Sequence, residues 1–270
     1  MPDRYGAWAL VLGASEGLGA AFARALAGRG MNLLLVARRK ELLERLAEEC
    51  RLRFRIEAQC FAEDLAASGF AEKLQGAVSG LEVGLVVYNA AFAPVGRFVD
   101  TEGADLLRAI DVNVRGPVLM LRTFLPPMAA RGRGALVLMS SLAGNQGTPG
   151  IATYAASKAF NKVLAEGLWH ELRGQGIDVL ACCAGAIRTP GYAKTAGGDA
   201  SGDAPGTLDP DVVADRSLNA LGRGPIVVPG FVNRLAAWAM GRLLPRRAAI
   251  GIMARSTSGL QKAPSTREPS

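Results

Sequence analysis

The sequence has few of the residue types that build metal centres and disulfide frameworks. It contains one histidine, His170, and four cysteines, Cys50, Cys60, Cys182 and Cys183, with no C-x-x-C pair and no ligand-like spacing to the histidine. This scarcity speaks against a zinc site and points to free thiols in a reducing compartment. His170 falls within the helical pattern EGLWHELRGQG and reads as a packing or surface residue. No apolar run reaches the roughly 18 residues that a membrane span requires. The opening MPDRYGAWALVLGAS has the hydropathy of a signal peptide. Its apolar part, however, runs straight into a glycine-rich turn and a helix, the pattern of a buried strand in a cytoplasmic protein. Solenoid-type repeats are absent. Acidic residues are outnumbered, 24 against 31 Lys and Arg, for a net charge of +7. The basic residues are scattered, and the densest clusters, Arg38-Arg39-Lys40 and Arg246-Arg247, carry no nucleic-acid-binding motif. So local a charge suits an anionic small molecule and not a nucleic acid.

Short apolar runs alternate with longer amphipathic segments along the chain. The strand candidates are AWALVLG (7–13), MNLLLVA (31–37), FRIEAQC (54–60), VGLVVYN (83–89), GALVLMS (134–140), IDVLACC (177–183) and PIVVP (225–229). Helical patterns fall between them: up to about residue 29, then KELLERLAEEC, then from about Ala66, and then a long helix over about 103–129. The stretch ATYAASKAF opens another. Runs that are apolar throughout argue for burial on both faces, hence a parallel sheet covered by helices. The expectation is an α/β fold: a doubly wound, Rossmann-type, seven-stranded parallel sheet with helices on both faces, forming a single domain over residues 1–255. A helical extension occupies 230–255, a substrate lid 191–209 and a disordered tail 256–270.

Directly after the first strand comes GASEGLG, with Gly13, Gly17 and Gly19 opening a helix. Glycines there permit a tight turn and let backbone N–H groups reach a pyrophosphate at the positive helix end. Alone the pattern is weak; after the first strand and before an alanine-rich helix, it reads as a dinucleotide site that includes Ser15 and Leu18. An NAD site usually places a carboxylate at the end of the second strand for the ribose 2′-hydroxyl. Here Ala37 is followed by Arg38, Arg39 and Lys40, and two guanidinium groups can clamp a 2′-phosphate. With the Ser15 hydroxyl as a further donor, NADP(H) is favoured over NAD(H).

Tyr154 and Lys158 stand at i and i+4, on one helical face. A free tyrosine, with a pKa of about 10, is a sluggish base near neutrality. A neighbouring ammonium, together with the positive charge of an oxidised nicotinamide, is expected to lower it. Ser141, thirteen positions upstream, ends the fifth strand, where side chains point into the ligand crevice of open α/β sheets. Its hydroxyl is placed to hydrogen-bond a carbonyl and steady a developing alkoxide.

From about residue 5 to 230 the chain resembles the short-chain dehydrogenase/reductase family. The matching pieces are GASEGLG, Asp64-Leu65, YNAA at 88–91, DVNVRG with Asn113, the serine pair 140–141, YAASK at 154–158 and AGAIRT at 184–189. Each is weak alone; in order and at family spacing they are specific. The resemblance implies Tyr154 as acid/base, Lys158 as the cation that lowers its pKa and binds ribose, and Ser141 as the hydroxyl orienting the carbonyl. Asn113 would hold a water that links Lys158 to a proton relay. It also implies that Asp64 touches the adenine, that Asn89 and Ala90 line the cofactor ribose region, and that Ile187 and Thr189 meet the carboxamide. Ser140 is expected to be structural. Leu12, the NAA at 89–91 and Ala184 depart from the family's usual residues, which alters turn stiffness and removes no reacting group.

The substrate is expected over Ser141 and Tyr154, walled by Phe92, Pro94, Val95, Leu142, Ile151 and Tyr192, an apolar set suited to a hydrophobic ketone, alcohol or acyl-type carbonyl. The basic, helix-prone segment after residue 230 resembles the C-terminal extension of 3-ketoacyl and 17β-hydroxysteroid reductase-like members. Three roles are open to it: pocket cover, subunit contact, or contact with a membrane surface through 231–255. The resemblance implies a homodimer or homotetramer through the helices at about 103–129 and 153–173. Against the enzyme stands a different class of reading, a catalytically retired cofactor-sensing or scaffold protein, which the presence of all four tetrad residues disfavours.

Overall fold

The computed structural model describes residues 1–195 and 206–257. The described elements, in chain order, begin with α1 (Pro2–Tyr5), β1 (Trp8–Leu12), α2 (Gly17–Ala27), β2 (Asn32–Ala37), α3 (Lys40–Phe54), β3 (Ala58–Ala62), α4 (Phe70–Ala77) and β4 (Val83–Tyr88). They continue with α5 (Gly103–Ile110), a π-helical turn (Asp111–Arg115), α6 (Gly116–Arg131), β5 (Gly134–Ser141), α7 (Ala152–Leu172) and β6 (Ile177–Ala184). The chain closes with α8 (Pro190–Thr195), α9 (Pro210–Ala220), β7 (Ile226–Val227), α10 (Phe231–Arg242) and α11 (Arg246–Ser256).

All neighbouring strands pair in parallel, in the order β3-β2-β1-β4-β5-β6-β7. Because side chains alternate across a strand, β1 sends Ala9 and Val11 to one face and Trp8, Leu10 and Leu12 to the other. The first face packs against Phe22 and Leu26 of α2, Leu43 and Leu46 of α3, and Val213 and Leu218 of α9. The second packs against Phe70 and Leu74 of α4, Met120 and Phe124 of α6, and Ala165 of α7. Each fully buried large aliphatic residue stabilises the fold by roughly 1.5–3 kcal/mol, and this two-sided burial fixes the strand ends on which the site is built. The strand order reverses between β1 and β4, and the crevice beyond their C-terminal ends is where open α/β sheets bind ligands.

Local structure departs from the sequence expectations in four places. The third strand begins at Ala58 because α3 runs on to Phe54 and ends in a left-handed Arg55 (φ 56°), with the Arg51 guanidinium held by the Ala58 carbonyl. The helix expected from Ala66 starts at Phe70, since Asp64 caps a turn by accepting from the Ala66 amide. The long helix over 103–129 is split by the π turn, where the Tyr88 hydroxyl donates to the Val112 carbonyl at 2.7 Å. The last strand keeps only Ile226 and Val227 of the expected 225–229.

Of the expected lid, residues 191–195 are helical and 206–209 run beside Ile187, with the Leu208 amide donating to Ala186; residues 196–205 lie outside the described residues. At the C-terminus Thr257 is buried and donates its hydroxyl to Pro149 at 2.8 Å, and residues 258–270, most of the expected tail, lie outside the described residues.

Candidate active site

The glycine turn lies at the switch point of the sheet. Gly13 has φ 79°, and a Cβ there would stand 2.7 Å from the backbone of Ala90, at the end of β4. Only glycine gives both the left-handed backbone and the close approach. Asn89 locks the two ends together by donating its side-chain amide to the Gly13 carbonyl at 2.9 Å. A Cβ on Gly19 would meet that same carbonyl at 1.9 Å, so α2 starts hard against the turn. Gly17, with φ 55°, faces Thr189, whose Cγ2 would be 3.0 Å from a Cβ. The Thr189 hydroxyl accepts from the Tyr192 amide at 3.2 Å. Leu18 and Leu65 are core side chains, so they can meet a ligand only through their main chain. The turn, the N-terminus of α2 and the ends of β1, β4 and β6 thus form a cradle in which Gly13, Gly17 and Gly19 leave no room for a Cβ, which fits a dinucleotide pyrophosphate.

At the end of β2, Arg38 and Arg39 are exposed. Arg39 donates to Ser15 Oγ at 3.0 Å and pairs with Glu16 at 2.8 Å. The sequence reading found no carboxylate at the end of the second strand. Glu16 supplies one from the glycine turn instead, through an ion pair between two separate turns. Asp64, expected near the adenine, accepts from the Ala66 amide and from Arg108 of α5 at 2.7 Å. Burial would raise its pKa, but these two donors outweigh it and hold the carboxyl below its usual range. Arg108 also stands over the Phe92 ring, 5.6 Å from its centroid, and so ties the Asp64 turn to the start of the substrate wall. Neither Glu16 nor Arg108 figured in the sequence reading. The glutamate was visible inside GASEGLG, whereas Arg108 left no local signal.

The other predicted residues gather at the C-terminal end of β5. Ser141 Oγ accepts from the Ala143 amide at 3.2 Å, and its hydroxyl is near enough to the Tyr154 phenol to hold that group's pKa down. Lys158 is only 3% exposed; its Nζ donates to the Met139 carbonyl at 2.9 Å and lies 5.4 Å from the Tyr154 ring centroid. Ser140 anchors α7 by donating to the Lys158 carbonyl at 2.7 Å, a structural contact. Asn113, on the π turn, is fully buried. Its side chain donates to the Phe92 carbonyl and to Ser157 Oγ and accepts from the Phe92 amide, while Ser157 donates to the Tyr154 carbonyl. Both of its amide hydrogens are therefore committed to protein, and any water Asn113 holds falls to its main chain. Ser157, which the sequence reading passed over, links Asn113 to the helix that carries Tyr154.

The expected lowering of the Tyr154 pKa is not what the chain's own groups produce. Burial pushes the phenol up, and the neighbouring Ser141 hydroxyl offsets part of that rise. The reason is geometric: the Lys158 ammonium is turned to the Met139 carbonyl and does not meet the phenol oxygen. Burial also pulls Lys158 itself down to about 8.

Apolar side chains wall this floor. Phe92, Pro94, Val95, Leu142 and Ile151 are half-buried and Tyr192 is exposed. The two walls are joined where the Gly96 amide donates to the Gly150 carbonyl at 2.8 Å. From outside, α11 braces the 142–150 loop: Arg246 donates to the Asn145 carbonyl at 2.8 Å and Ile250 lies against Gly147, while Lys162 of α7 donates to the Asn145 side chain at 3.0 Å. His170 is exposed near the end of α7, away from this floor.

A parallel sheet with a glycine cradle at its switch point, and a tyrosine, serine and lysine gathered beside it, defines a class: oxidoreductases that bind a nicotinamide dinucleotide. The short chain dehydrogenase family model matches residues 7–198. The 7beta-hydroxysteroid dehydrogenase of Clostridium sardiniense is 34% identical over 232 residues, covering 86% of this chain and 88% of that one. A solved structure from a study of 7beta-hydroxysteroid dehydrogenase stereoselectivity superposes with a TM-score of 0.89 at 31% identity, over 93% of this chain and 98% of the other. A short-chain dehydrogenase from Sphingobium yanoikuyae in complex with NADPH superposes with a TM-score of 0.76 at 25% identity, over 97% and 98% of the two chains. The chain belongs to the short-chain dehydrogenase family and is an oxidoreductase of CH–OH and C=O groups that uses a nicotinamide cofactor.

Proposed function

We propose that this enzyme uses NADP(H) to interconvert a bulky hydrophobic ketone and its secondary alcohol, with reduction as the favoured direction. One observation carries the reading: Tyr154 and Ser141 are neighbours beside a buried Lys158, whose Nζ lies 5.4 Å from the tyrosine ring centroid, on a floor walled by apolar side chains. A nicotinamide held in the glycine cradle would supply the hydride. Ser141 Oγ donates to the substrate carbonyl oxygen, and Tyr154 Oη delivers its proton to that oxygen as the alkoxide develops. A phenol whose pKa is raised by burial keeps its proton at neutral pH and is set up as a donor, which supports reduction. Lys158, a buried cation one helical turn away, is assigned to the nicotinamide ribose. Asn113 fixes the Phe92 backbone and, through Ser157, the first turn of α7, so that wall and phenol keep their spacing.

Arg38, Arg39 and Ser15 are assigned to the 2′-phosphate, with Glu16 sharing Arg39; the relative solved with NADPH supports this preference. Asp64 is assigned to the adenine, Asn89 and Ala90 to the ribose region, and Ile187 and Thr189 to the carboxamide. The similarity to 7beta-hydroxysteroid dehydrogenase supports a rigid polycyclic substrate of steroid-like size. Subunit pairing is assigned to a second copy meeting the apolar groove between α6 and α7, lined by Val118, Leu121, Leu125, Leu164 and Leu168. Four free thiols support a cytoplasmic residence.

The test is a panel of ketones and secondary alcohols, hydroxysteroids included, with the purified chain, following NADPH absorbance with NADH run in parallel. The expected result is reduction of bulky apolar ketones with NADPH and much slower turnover with NADH. Tight NADPH binding with no turnover of any ketone would favour the retired, cofactor-sensing reading.

A further inference from the structure

The C-terminal helices divide by what they touch. α11 is fastened to the 142–150 loop, whereas α10 is fastened by one edge only. Asn233, its one buried residue, donates to the carbonyls of Gly206 and Pro229, both at 3.0 Å. Phe231, Leu235 and Trp238 stand at i, i+4 and i+7 on the outward face, exposed by 70%, 54% and 54%, and Leu243 follows at 63%. Residues 231–257 contain five arginines, 234, 242, 246, 247 and 255, and no aspartate or glutamate. Among the described residues no carboxylate pairs with Arg234, Arg242 or Arg247.

We propose that the outward face of α10 and the turn after it dock on an anionic lipid surface. Leucine and aromatic side chains on one face, flanked by arginines and free of acids, are the composition of a helix that lies in the membrane interface. At 12 residues the helix is about 18 Å long, enough to lie in the interface and too short to cross a bilayer. Charge selects the occupant. A two-fold contact of this patch with a second copy would set the arginines 234 and 242 of one copy against those of the other, with no carboxylate in the segment to receive them. Phosphate headgroups supply the missing negative charge, and each basic residue near such a surface adds to the attraction. Because α10 is rooted beside Gly206 and Leu208, which run next to Ile187, docking would present the substrate side of the enzyme to the lipid. The inference stands apart from the proposed reaction, since it rests on no catalytic residue.

The test is flotation of the full chain with phosphatidylcholine vesicles and with vesicles of phosphatidylcholine and phosphatidylglycerol in equal parts. The expected result is association with the anionic vesicles alone, released by salt, with a blue shift of tryptophan fluorescence that Trp238→Phe abolishes. The double variants Leu235→Ser/Trp238→Ser and Arg234→Glu/Arg242→Glu should each weaken association by on the order of tenfold or more, with NADPH binding and melting temperature unchanged. Absence of vesicle association, equal association with neutral vesicles, or a concentration-dependent dimer lost in the Leu235/Trp238 variant would each overturn the proposal.

Discussion

The floor of the site and the C-terminal helices approach the same loop, residues 142–150, from opposite sides, yet they are built on different principles. On the floor, the polar groups are tied to protein: Lys158 to Met139, Asn113 to Phe92 and Ser157, Ser140 to the backbone of α7. In the extension, a few contacts at Asn233, Arg246 and Thr257 fix the attachment, and large apolar side chains stay in solvent. Chemistry needs groups held within a fraction of an ångström, so the sheet and α7 over-determine them. A surface that meets substrate or lipid needs composition and accessibility, and few constraints suffice.

That contrast sets an order of expected effects. Ser141→Ala removes a donor to the developing oxyanion and should lower kcat by roughly 10²–10³-fold, with NADPH affinity unchanged by equilibrium titration; a fall below tenfold would place the oxyanion elsewhere. Arg38→Asp should raise the NADPH dissociation constant by roughly 10–100-fold, the size of a lost charge-assisted hydrogen bond. NADH binding should change little, and equal losses for both cofactors would count against the 2′-phosphate assignment.

Next in size is a pH effect. Lys158 titrates at about 8, while the Tyr154 pKa is pushed above its ordinary value, so the ammonium is lost first as pH rises. Ketone reduction consumes one proton, from Tyr154, and needs Lys158 charged to hold the cofactor, so kcat/KM should be flat below about 8 and fall above it; a profile rising through that range would reverse the assignment. Smallest is Arg246→Ala, which frees the Asn145 carbonyl from α11: KM for a bulky ketone should rise a few-fold while that for a small ketone holds. An equal change for both would make the brace a matter of stability alone.

The floor was legible in the sequence because its geometry is local. A separation of four puts Tyr154 and Lys158 on one helical face, and a serine ending an apolar strand lands in the crevice whatever the rest of the chain does. The parallel sheet was legible for the same reason, in strands that are apolar throughout. Contacts between remote segments were not. The pairs Glu16–Arg39 and Arg108–Asp64, and the link from Asn113 through Ser157 to Tyr154, depend on how turns are juxtaposed, and no spacing encodes them. The direction of the phenol's shift was missed because it depends on where the lysine arm ends. In the extension the exposed face is itself apolar, so hydropathy does not mark the inner side, and only the burial of Asn233, Ala249 and Thr257 separates the attached edge from the free face.

The most direct measurement compares ketone reduction by the native chain and by Tyr154→Phe, with NADPH affinity measured on both. The substitution keeps the ring and removes only the hydroxyl. The account predicts intact NADPH binding with turnover lower by roughly 10²–10⁴-fold; turnover within a few-fold of the native rate would show that the proton comes from another group.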